Sequence, residues 1–263
     1  MLKKATFFRA LLLSLFLIPA ARPAAAQTLE QAADQLGIHL LPARAFLLPL
    51  PELPVSAEDR GAATGHYLLA ASLDLRGVPA APAAGSPADK EDFRVILDWQ
   101  ARRTPEQCAA ANKEMSHSFE VFFGAISPFP SPVPPKVKEF FKNVESDSVT
   151  AHKFLKDVYK RERPFVRDAR VKPCLPRVQG FAYPSGHSAM ARLEALILGD
   201  LVPARRAEFL ARADQAALNR VLGGVHHPTD TAAGKALADV LYKELVKDPR
   251  FAADLRALRS LLK

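Results

Sequence analysis

Three short groups of residues in the C-terminal half of the chain carry the side chains that phosphate chemistry needs. They are Lys156-x6-Arg163-Pro164, Pro184-Ser185-Gly186-His187 and Arg220-x5-His226-x3-Asp230. Together they supply three cations, a helix start that attracts anions, and two histidines, one of them followed by a carboxylate. Their occurrence in this order predicts phosphoryl transfer without a metal ion, because fixed cations and amides can stabilise the charge of that reaction.

The first group puts two cations on one predicted helix. Lys156 and Arg163 are seven residues apart, which is about two helical turns, so we expect their side chains to share a face. Two converging cations suit a dianionic phosphate, and a guanidinium can bind two of its oxygens at once. The alternative is a solvated basic helix end, because the surrounding sequence KDVYKRERP is highly charged.

The second group has the residue pattern of a helix start. Ser185 is a suitable N-cap, and Gly186 allows backbone amides to approach a ligand closely. The unpaired amides and the helix dipole at such a start attract anions, and His187 lies in the first turn beside them. The alternative is an ordinary capped helix with an exposed histidine.

The third group joins the end of one helix to the start of the next. Arg220 ends the first helix, and Gly223-Gly224 breaks it before His226. Asp230 is expected to cap the following helix and to accept the Nδ1 proton of His226, which leaves Nε2 as an attacking lone pair. The alternative is that Asp230 only caps the helix and His226 is a loop residue.

Neither the cysteines nor the histidine pair favours a metal site. Cys108 and Cys174 match no metal-binding spacing, and one disulfide is expected, with two separate buried thiols as the alternative. His227 could join His226 and Asp230 as a ligand set, but adjacent histidines point in different directions and no further acidic ligands are grouped nearby. We therefore predict no metal and no cofactor.

The N-terminus has the pattern of a secretory signal over residues 1–26. Lys3, Lys4 and Arg9 precede a short apolar stretch, and an A-x-A cleavage site ends at Ala26. The stretch is too short to span a bilayer, although an uncleaved anchor is the alternative. Cleavage would leave 237 residues and remove four positive charges, so the formal net charge would fall from +8 to +4. That excess suits anionic substrates and is weak evidence for nucleic-acid binding, which we do not predict.

The pattern of apolar residues and prolines predicts an all-α fold, a helical bundle with long proline-rich connections. The strongest single start is Thr104-Pro105-Glu106-Gln107, which has the form of a capping box. An extended segment is expected over 41–54. Helices are expected at 28–38, 56–75, 89–103, 104–123, 136–145, 148–162, 186–200, 204–222 and 230–247, and from 248 onward.

In these three groups the chain resembles the type 2 phosphatidic acid phosphatase superfamily, and more closely the bacterial class A non-specific acid phosphatases. The resemblance implies that His226 is a nucleophile forming a phosphohistidine, that Asp230 orients it, and that His187 protonates the leaving group. Lys156, Arg163, Arg220 and the amides around Ser185 and Gly186 would hold the phosphoryl oxygens. Asn219 stands where that family usually has serine, although its amide can still donate a hydrogen bond.

The resemblance further implies an exported, metal-independent acid phosphatase, periplasmic or secreted, with residues 27–263 as a single domain. Soluble phosphomonoesters would be its substrates and inorganic phosphate or vanadate its inhibitors, with phosphotransferase activity and a homo-oligomeric state as corollaries. The alternatives are a phosphatase of lipid phosphates or polyprenyl diphosphates, a vanadate-dependent haloperoxidase, and a phosphate-binding protein without catalysis. No stable membrane insertion is expected.

Overall fold

Helices joined by proline-bearing loops make up the computed structural model, which describes residues 65–69 and 73–263. Among these residues there is no β-strand, so the all-α prediction is confirmed for the described part of the chain. The helices are α1 Pro87–Arg102, α2 Pro105–Asn112, α3 Phe119–Phe123, α4 Pro135–Tyr159, α5 Pro164–Arg167, α6 Gly186–Leu201, α7 Arg206–Leu222, α8 Pro228–Leu245 and α9 Pro249–Arg259. Short 3-10 turns occur at Leu75–Gly77, Gly124–Ile126 and Pro203–Arg205.

Most of these helices begin where the sequence carries a capping residue. The predicted capping box is confirmed: Gln107 N donates to Thr104 Oγ1 at 3.2 Å, and Thr104 N donates to Gln107 Oε1 at 2.9 Å. Asp248 likewise caps α9 through the amides of Arg250 and Phe251. Such caps satisfy helix-start amides that have no partner within the helix, which sets where each helix begins.

Two predicted helix boundaries are wrong. The helix expected over 104–123 ends at Asn112, and a loop over 113–118 precedes α3. The break expected between 145 and 148 is absent, because α4 is continuous and its polar Asp147 is buried with partners. The carboxylate of Asp147 accepts hydrogen bonds from the amides of Tyr67 and Leu68, at 3.0 and 2.9 Å. A partner some 80 residues away therefore allows a polar stretch to stay helical.

Further differences from the sequence-based expectations occur in the N-terminal part of the chain. The helix predicted over 56–75 is wrong where it is described, since 65–69 is not helical and Leu75 begins a 3-10 turn. The signal sequence over 1–26, the helix over 28–38 and the extended segment over 41–54 lie outside the described residues. Within the described residues, none of the helices is both long enough and apolar enough to cross a bilayer.

Helix α6 lies at the centre of the core and packs against both α7 and α8. Nearly all of its residues are buried, and each large apolar side chain removed from water contributes about 1.5–3 kcal/mol. Gly234 of α8 allows this packing, because a Cβ there would stand 2.3 Å from the carbonyl oxygen of Ser185. The close approach brings the start of α8 to the start of α6, and with it two of the three groups of residues.

A smaller apolar cluster lies between α1, α7 and the loop that follows α5. Cys108 and Cys174 form a disulfide bond here, with their Cα atoms 5.9 Å apart. The amide of Cys174 donates to the carbonyl of Gly223 at 3.1 Å, which joins this loop to the turn after α7. The cluster therefore fixes the loop that leads towards His226.

Candidate active site

The three groups of residues meet at one cavity of about 190 Å³. Six of the predicted site residues line it, and Ser185 and Asp230 lie directly behind the wall, fully buried. The lining consists of Met115, His117, His152, Lys156, Arg163, Val178, Gly186, His187, Arg220 and His226. The lining contains three cations and four histidines but no carboxylate, so the cavity has the electrostatics of an anion site.

Lys156 and Arg163 reach the cavity from different elements, so the prediction that they share one helix face is wrong. Helix α4 ends at Tyr159, and Lys160 turns the chain with a left-handed backbone at φ 45°. Arg163 is the residue before α5, and its Nε donates to the carbonyl of Gly180 at 3.0 Å. The turn brings the two cations to the same cavity although the helix does not extend between them.

His226 is held by hydrogen bonds at both ring nitrogens. Arg163 Nη1 lies 2.7 Å from Nε2, and Nδ1 lies 3.3 Å from Asp230 Oδ2. A guanidinium can only donate, so Nε2 carries the lone pair and Nδ1 carries the proton. Burial, and then the nearby positive charge of Arg163, lower the pKa of His226 well below its usual value, so the ring is neutral. This is the tautomer that a nucleophilic Nε2 requires.

Asp230 combines a capping role with its contact to His226. The N-cap of α8 is His227, not Asp230, and Asp230 caps from the first turn by accepting the amide of His227 at 2.7 Å. Its other oxygen accepts from Arg161 Nη1 at 2.7 Å. Burial alone would raise the pKa of Asp230, but its contacts with His227, His226 and Arg161 hold that pKa well below the usual range. Asp230 is therefore a permanent carboxylate.

His187 stands in the first turn of α6 and faces the cavity. Its Nε2 donates to the carbonyl of Glu114 at 2.5 Å, and its ring packs edge-to-face on those of Phe122 and His117. Burial, and then the charge of Arg220, lower the pKa of His187 to about 3. The side chain of Glu114 accepts a hydrogen bond from Asn219 Nδ2 at 2.9 Å. Asn219 therefore binds the side chain of the residue whose backbone carbonyl binds His187.

The start of α6 closes one side of the cavity. Ser185 Oγ accepts from the amide of Ser188 at 3.3 Å, as expected for an N-cap. Gly186 has no room for a side chain, because a Cβ there would stand 2.8 Å from the ring of His152. The backbone amides of Gly186 and His187 lie in the first turn of α6, where the helix has no preceding carbonyl to accept from them. Both residues line the cavity.

Arg220 is the most buried of the three cations, with 2% of its surface exposed. Among the described residues the hydrogen-bond partner of its side chain is the sulfur of Met115, at 3.9 Å from Nη1, and its Nε has none. Burial, and then the charge of Arg163, lower the pKa of Arg220 to about 10, so it remains charged. A buried guanidinium without an acceptor indicates a site for an anion.

Sequence reasoning missed several residues of this site. His152 lies four residues before Lys156, and this helical spacing could have identified it as a cavity residue. Met115 and His117 belong to the loop that was predicted as helix. Arg161, Asp89 and Asp92 form a buried cluster behind Asp230, and only the i, i+3 spacing of the two aspartates hinted at it.

Residues 147–247 match the model of the PAP2 superfamily, and this range contains all three groups of residues. This match confirms the resemblance of residues 147–247 to the PAP2 superfamily that the three groups of residues predicted. It is similar to "Non-specific acid phosphatase" of Salmonella typhimurium, with 33% identity over 112 residues, 41% of this chain and 44% of that protein. It is also similar to the protein of the same name from Providencia stuartii, with 25% identity over 191 residues, 68% of this chain and 76% of that one.

The chain thus spans less than half of the length of the Salmonella relative. Among solved structures it is similar to a transmembrane PAP2 type phosphatidylglycerolphosphate phosphatase from Bacillus subtilis. That match has a TM-score of 0.46 and 22% identity, and it covers 62% of this chain and 86% of the other.

Proposed function

We propose that this chain is a metal-independent acid phosphatase that hydrolyses soluble phosphomonoesters through a phosphohistidine on His226. The observation that carries the proposal is the tautomer of His226. Its Nε2 lone pair faces a cavity lined by three cations, and its Nδ1 proton points to the fixed carboxylate of Asp230. A merely phosphate-binding site would need the cations but not an unprotonated imidazole nitrogen among them.

In the first half-reaction, His226 Nε2 attacks the phosphorus atom and the bond to the ester oxygen breaks. The leaving oxygen takes a proton from His187, which faces the same cavity. The low pKa of His187 makes the ring neutral, and a dianion placed beside it favours the protonated form that this step needs. Substrate binding itself would therefore prepare the acid.

In the second half-reaction, neutral His187 accepts a proton from water while the water oxygen attacks phosphorus. The P–N bond breaks, and inorganic phosphate leaves with His226 restored to its neutral form. An alcohol in place of water would give phosphotransferase activity by the same step. Each transfer is balanced by the two histidines, so no further reactant is required.

Lys156, Arg163 and Arg220 would hold the phosphoryl oxygens together with the amides of Gly186 and His187. Arg163 donates to backbone carbonyls and to His226 Nε2, and Lys156 donates to the carbonyl of Phe181, so an anion can bind both cations without breaking an ion pair. Inorganic phosphate and vanadate would compete for the same donors. Such charge stabilisation is the main source of catalysis in phosphoryl transfer.

The substrate class and the location follow from similarity and from the N-terminus. The relatives named non-specific acid phosphatases support a soluble phosphomonoester as substrate. The predicted signal over residues 1–26 supports an exported protein, periplasmic or secreted, whose mature domain covers 27–263. The resemblance also supports a homo-oligomer.

Hydrolysis of p-nitrophenyl phosphate at roughly pH 5–6, within reach of histidine titration, tests the proposal. Wild type is assayed alone, with EDTA and with vanadate, and beside it His226→Ala. We expect activity that survives EDTA, falls with vanadate and is lost in the variant. An inactive wild type that still binds phosphate, or one that hydrolyses only a micellar lipid phosphate, would overturn the substrate class. Activity that is lost to EDTA would overturn the metal-free mechanism.

A further inference from the structure

A buried cluster of charges lies behind Asp230 and does not line the cavity. Its centre is Arg161, which is 7% exposed and donates through both terminal nitrogens. One nitrogen donates to Asp230 and to Thr229 Oγ1, each at 2.7 Å. The other donates to Asp89 at 2.9 Å and to Asp92 at 2.7 Å. Arg161 therefore joins the first turn of α8 to α1 through Asp230 itself.

His227 completes the cluster from the other side of Asp230. It is fully buried, and its Nδ1 lies 2.9 Å from Asp230 Oδ2, closer than the 3.3 Å of His226 Nδ1. Its Nε2 lies 3.2 Å from Arg167 Nη1, and Arg167 also binds both oxygens of Asp89 at 2.7 Å. Because a guanidinium only donates, His227 Nε2 is an acceptor and the neutral ring donates from Nδ1 to Asp230.

Asp230 Oδ2 thus accepts from three N–H groups, the amide and Nδ1 of His227 and Nδ1 of His226. With Arg161 on its other oxygen, the carboxylate has no freedom to rotate and no tendency to take a proton. The cluster has three carboxylates and two guanidinium groups, which leaves one negative charge when His227 is neutral. That charge lies next to the ring that becomes cationic when Nε2 is phosphorylated.

We propose that His227 and Arg161 are positioning residues that fix Asp230 as an anion at the angle His226 needs, so that they act on the chemical step and not on phosphate binding. This inference rests on the proposed phosphohistidine. Neither residue lines the cavity, and the side chain of each hydrogen-bonds to Asp230 and not to the imidazole of His226. His227 is therefore part of the active site although it touches no substrate.

The test compares His227→Leu with His227→Asn. Leucine removes the side-chain donor to Asp230, whereas asparagine keeps an N–H at the position of Nδ1 and is a good N-cap for α8. We expect kcat of His227→Leu for p-nitrophenyl phosphate to fall by about 10- to 100-fold, as small misplacements of reacting groups do. We expect the inhibition constant of inorganic phosphate to stay within about threefold, and His227→Asn to recover most of kcat.

Thr231→Val is the matched control, because Thr231 lies in the same turn and its hydroxyl donates only to the carbonyl of Pro228. It should leave kcat unchanged. If His227→Leu does not fold, Arg161→Lys is used in its place. Lysine keeps the positive charge but cannot bind all four acceptors of Arg161. We expect the same loss of kcat, again without weaker phosphate binding.

Unchanged kcat in a folded His227→Leu variant would overturn the inference, and so would equal losses in the leucine and asparagine variants. A weakened inhibition by inorganic phosphate that matches the loss of kcat would do the same. Failure of the proposed function would give a different result: wild type would form no acid-labile phosphoenzyme, regardless of kcat in the His227 variants.

Discussion

Arginines occur both in the cavity wall and in the cluster behind Asp230, but their partners differ. In the cluster, Arg161 and Arg167 bind the carboxylates of Asp89, Asp92 and Asp230. In the wall, Arg163 donates to backbone carbonyls and a histidine nitrogen, and Arg220 contacts a thioether sulfur. All of these guanidinium groups are largely buried, so the difference lies in the charge of their surroundings.

Arginine has a structural role in the cluster and a proposed functional role in the cavity wall. Burying a cation without a counter-charge costs free energy, and the lowered pKa values of Lys156, Arg163 and Arg220 reflect that cost. Pairing offsets most of this cost in the cluster, although burial still raises the pKa of Asp92, whereas the wall would recover it only when an anion binds. Substitutions in the cluster should therefore reduce stability as well as kcat, whereas substitutions in the wall should reduce activity with little loss of stability.

The largest effect is expected from Arg161→Met, measured as the free energy of unfolding. The variant leaves three buried carboxylates without their shared partner, which should cost about 3–5 kcal/mol. Arg170→Met is the control, because Arg170 is exposed and pairs only with Asp168, so we expect a loss of at most about 1 kcal/mol. Equal losses in the two variants would remove the distinction between cluster and surface.

Arg220→Met should reduce activity without reducing stability, in contrast to Arg161→Met. We expect kcat/KM for p-nitrophenyl phosphate to fall by about 10²- to 10³-fold, as for removal of one donor to a transition-state oxyanion. The thermal midpoint without phosphate should not fall, because methionine replaces an unpaired buried cation. A variant that loses stability but keeps kcat/KM would show that Arg220 is structural.

Gly186→Ala tests the crowded start of α6. The added Cβ would stand 2.8 Å from the His152 ring, so the first-turn amides must shift, and we expect kcat/KM to fall by roughly 10- to 100-fold. The double variant Gly186→Ala/His152→Ala removes the clash and should regain part of the activity. If the double variant is no better than the single one, the close contact with His152 is not what requires glycine.

The smallest expected effect is a pH dependence set by Lys156. Burial, and then the charge of Arg163, lower the pKa of Lys156 to about 7, so the cation is present below that pH and lost above it. We expect kcat/KM to fall as pH rises through about 7, by up to about tenfold per pH unit. Lys156→Arg keeps its charge and should show no such decline. An identical profile in both proteins would assign the decline to another group.

The sequence identified the three groups because their residue types are chemical requirements of the site. Lys156, Arg163, His187, Arg220 and His226 all line the cavity. The way in which Lys156 and Arg163 converge was predicted wrongly, since helical periodicity does not reveal the left-handed turn at Lys160. The cations meet because the chain turns back after α4, which depends on tertiary packing.

The cluster behind Asp230 was not predictable from one sequence. The partners of Arg161 lie 68 to 72 residues away, in α1 and in the first turn of α8. In the sequence, Asp89 and Asp92 look like ordinary acidic residues of an amphipathic helix. Pairing with a residue so far along the chain leaves no local pattern that identifies the partner. The same reason explains the continuous helix at Asp147, whose partners lie about 80 residues away.

Trapping the covalent intermediate tests the central claim most directly. Wild type, His226→Ala and wild type with EDTA are mixed with a phosphomonoester, quenched within milliseconds and digested, and the peptides are searched for acid-labile phosphate. The phosphohistidine mechanism predicts phosphate on the peptide that contains His226 in wild type, with and without EDTA, and none in the variant. Turnover in wild type without a phosphorylated peptide, or phosphate that remains in the His226→Ala protein, would contradict it.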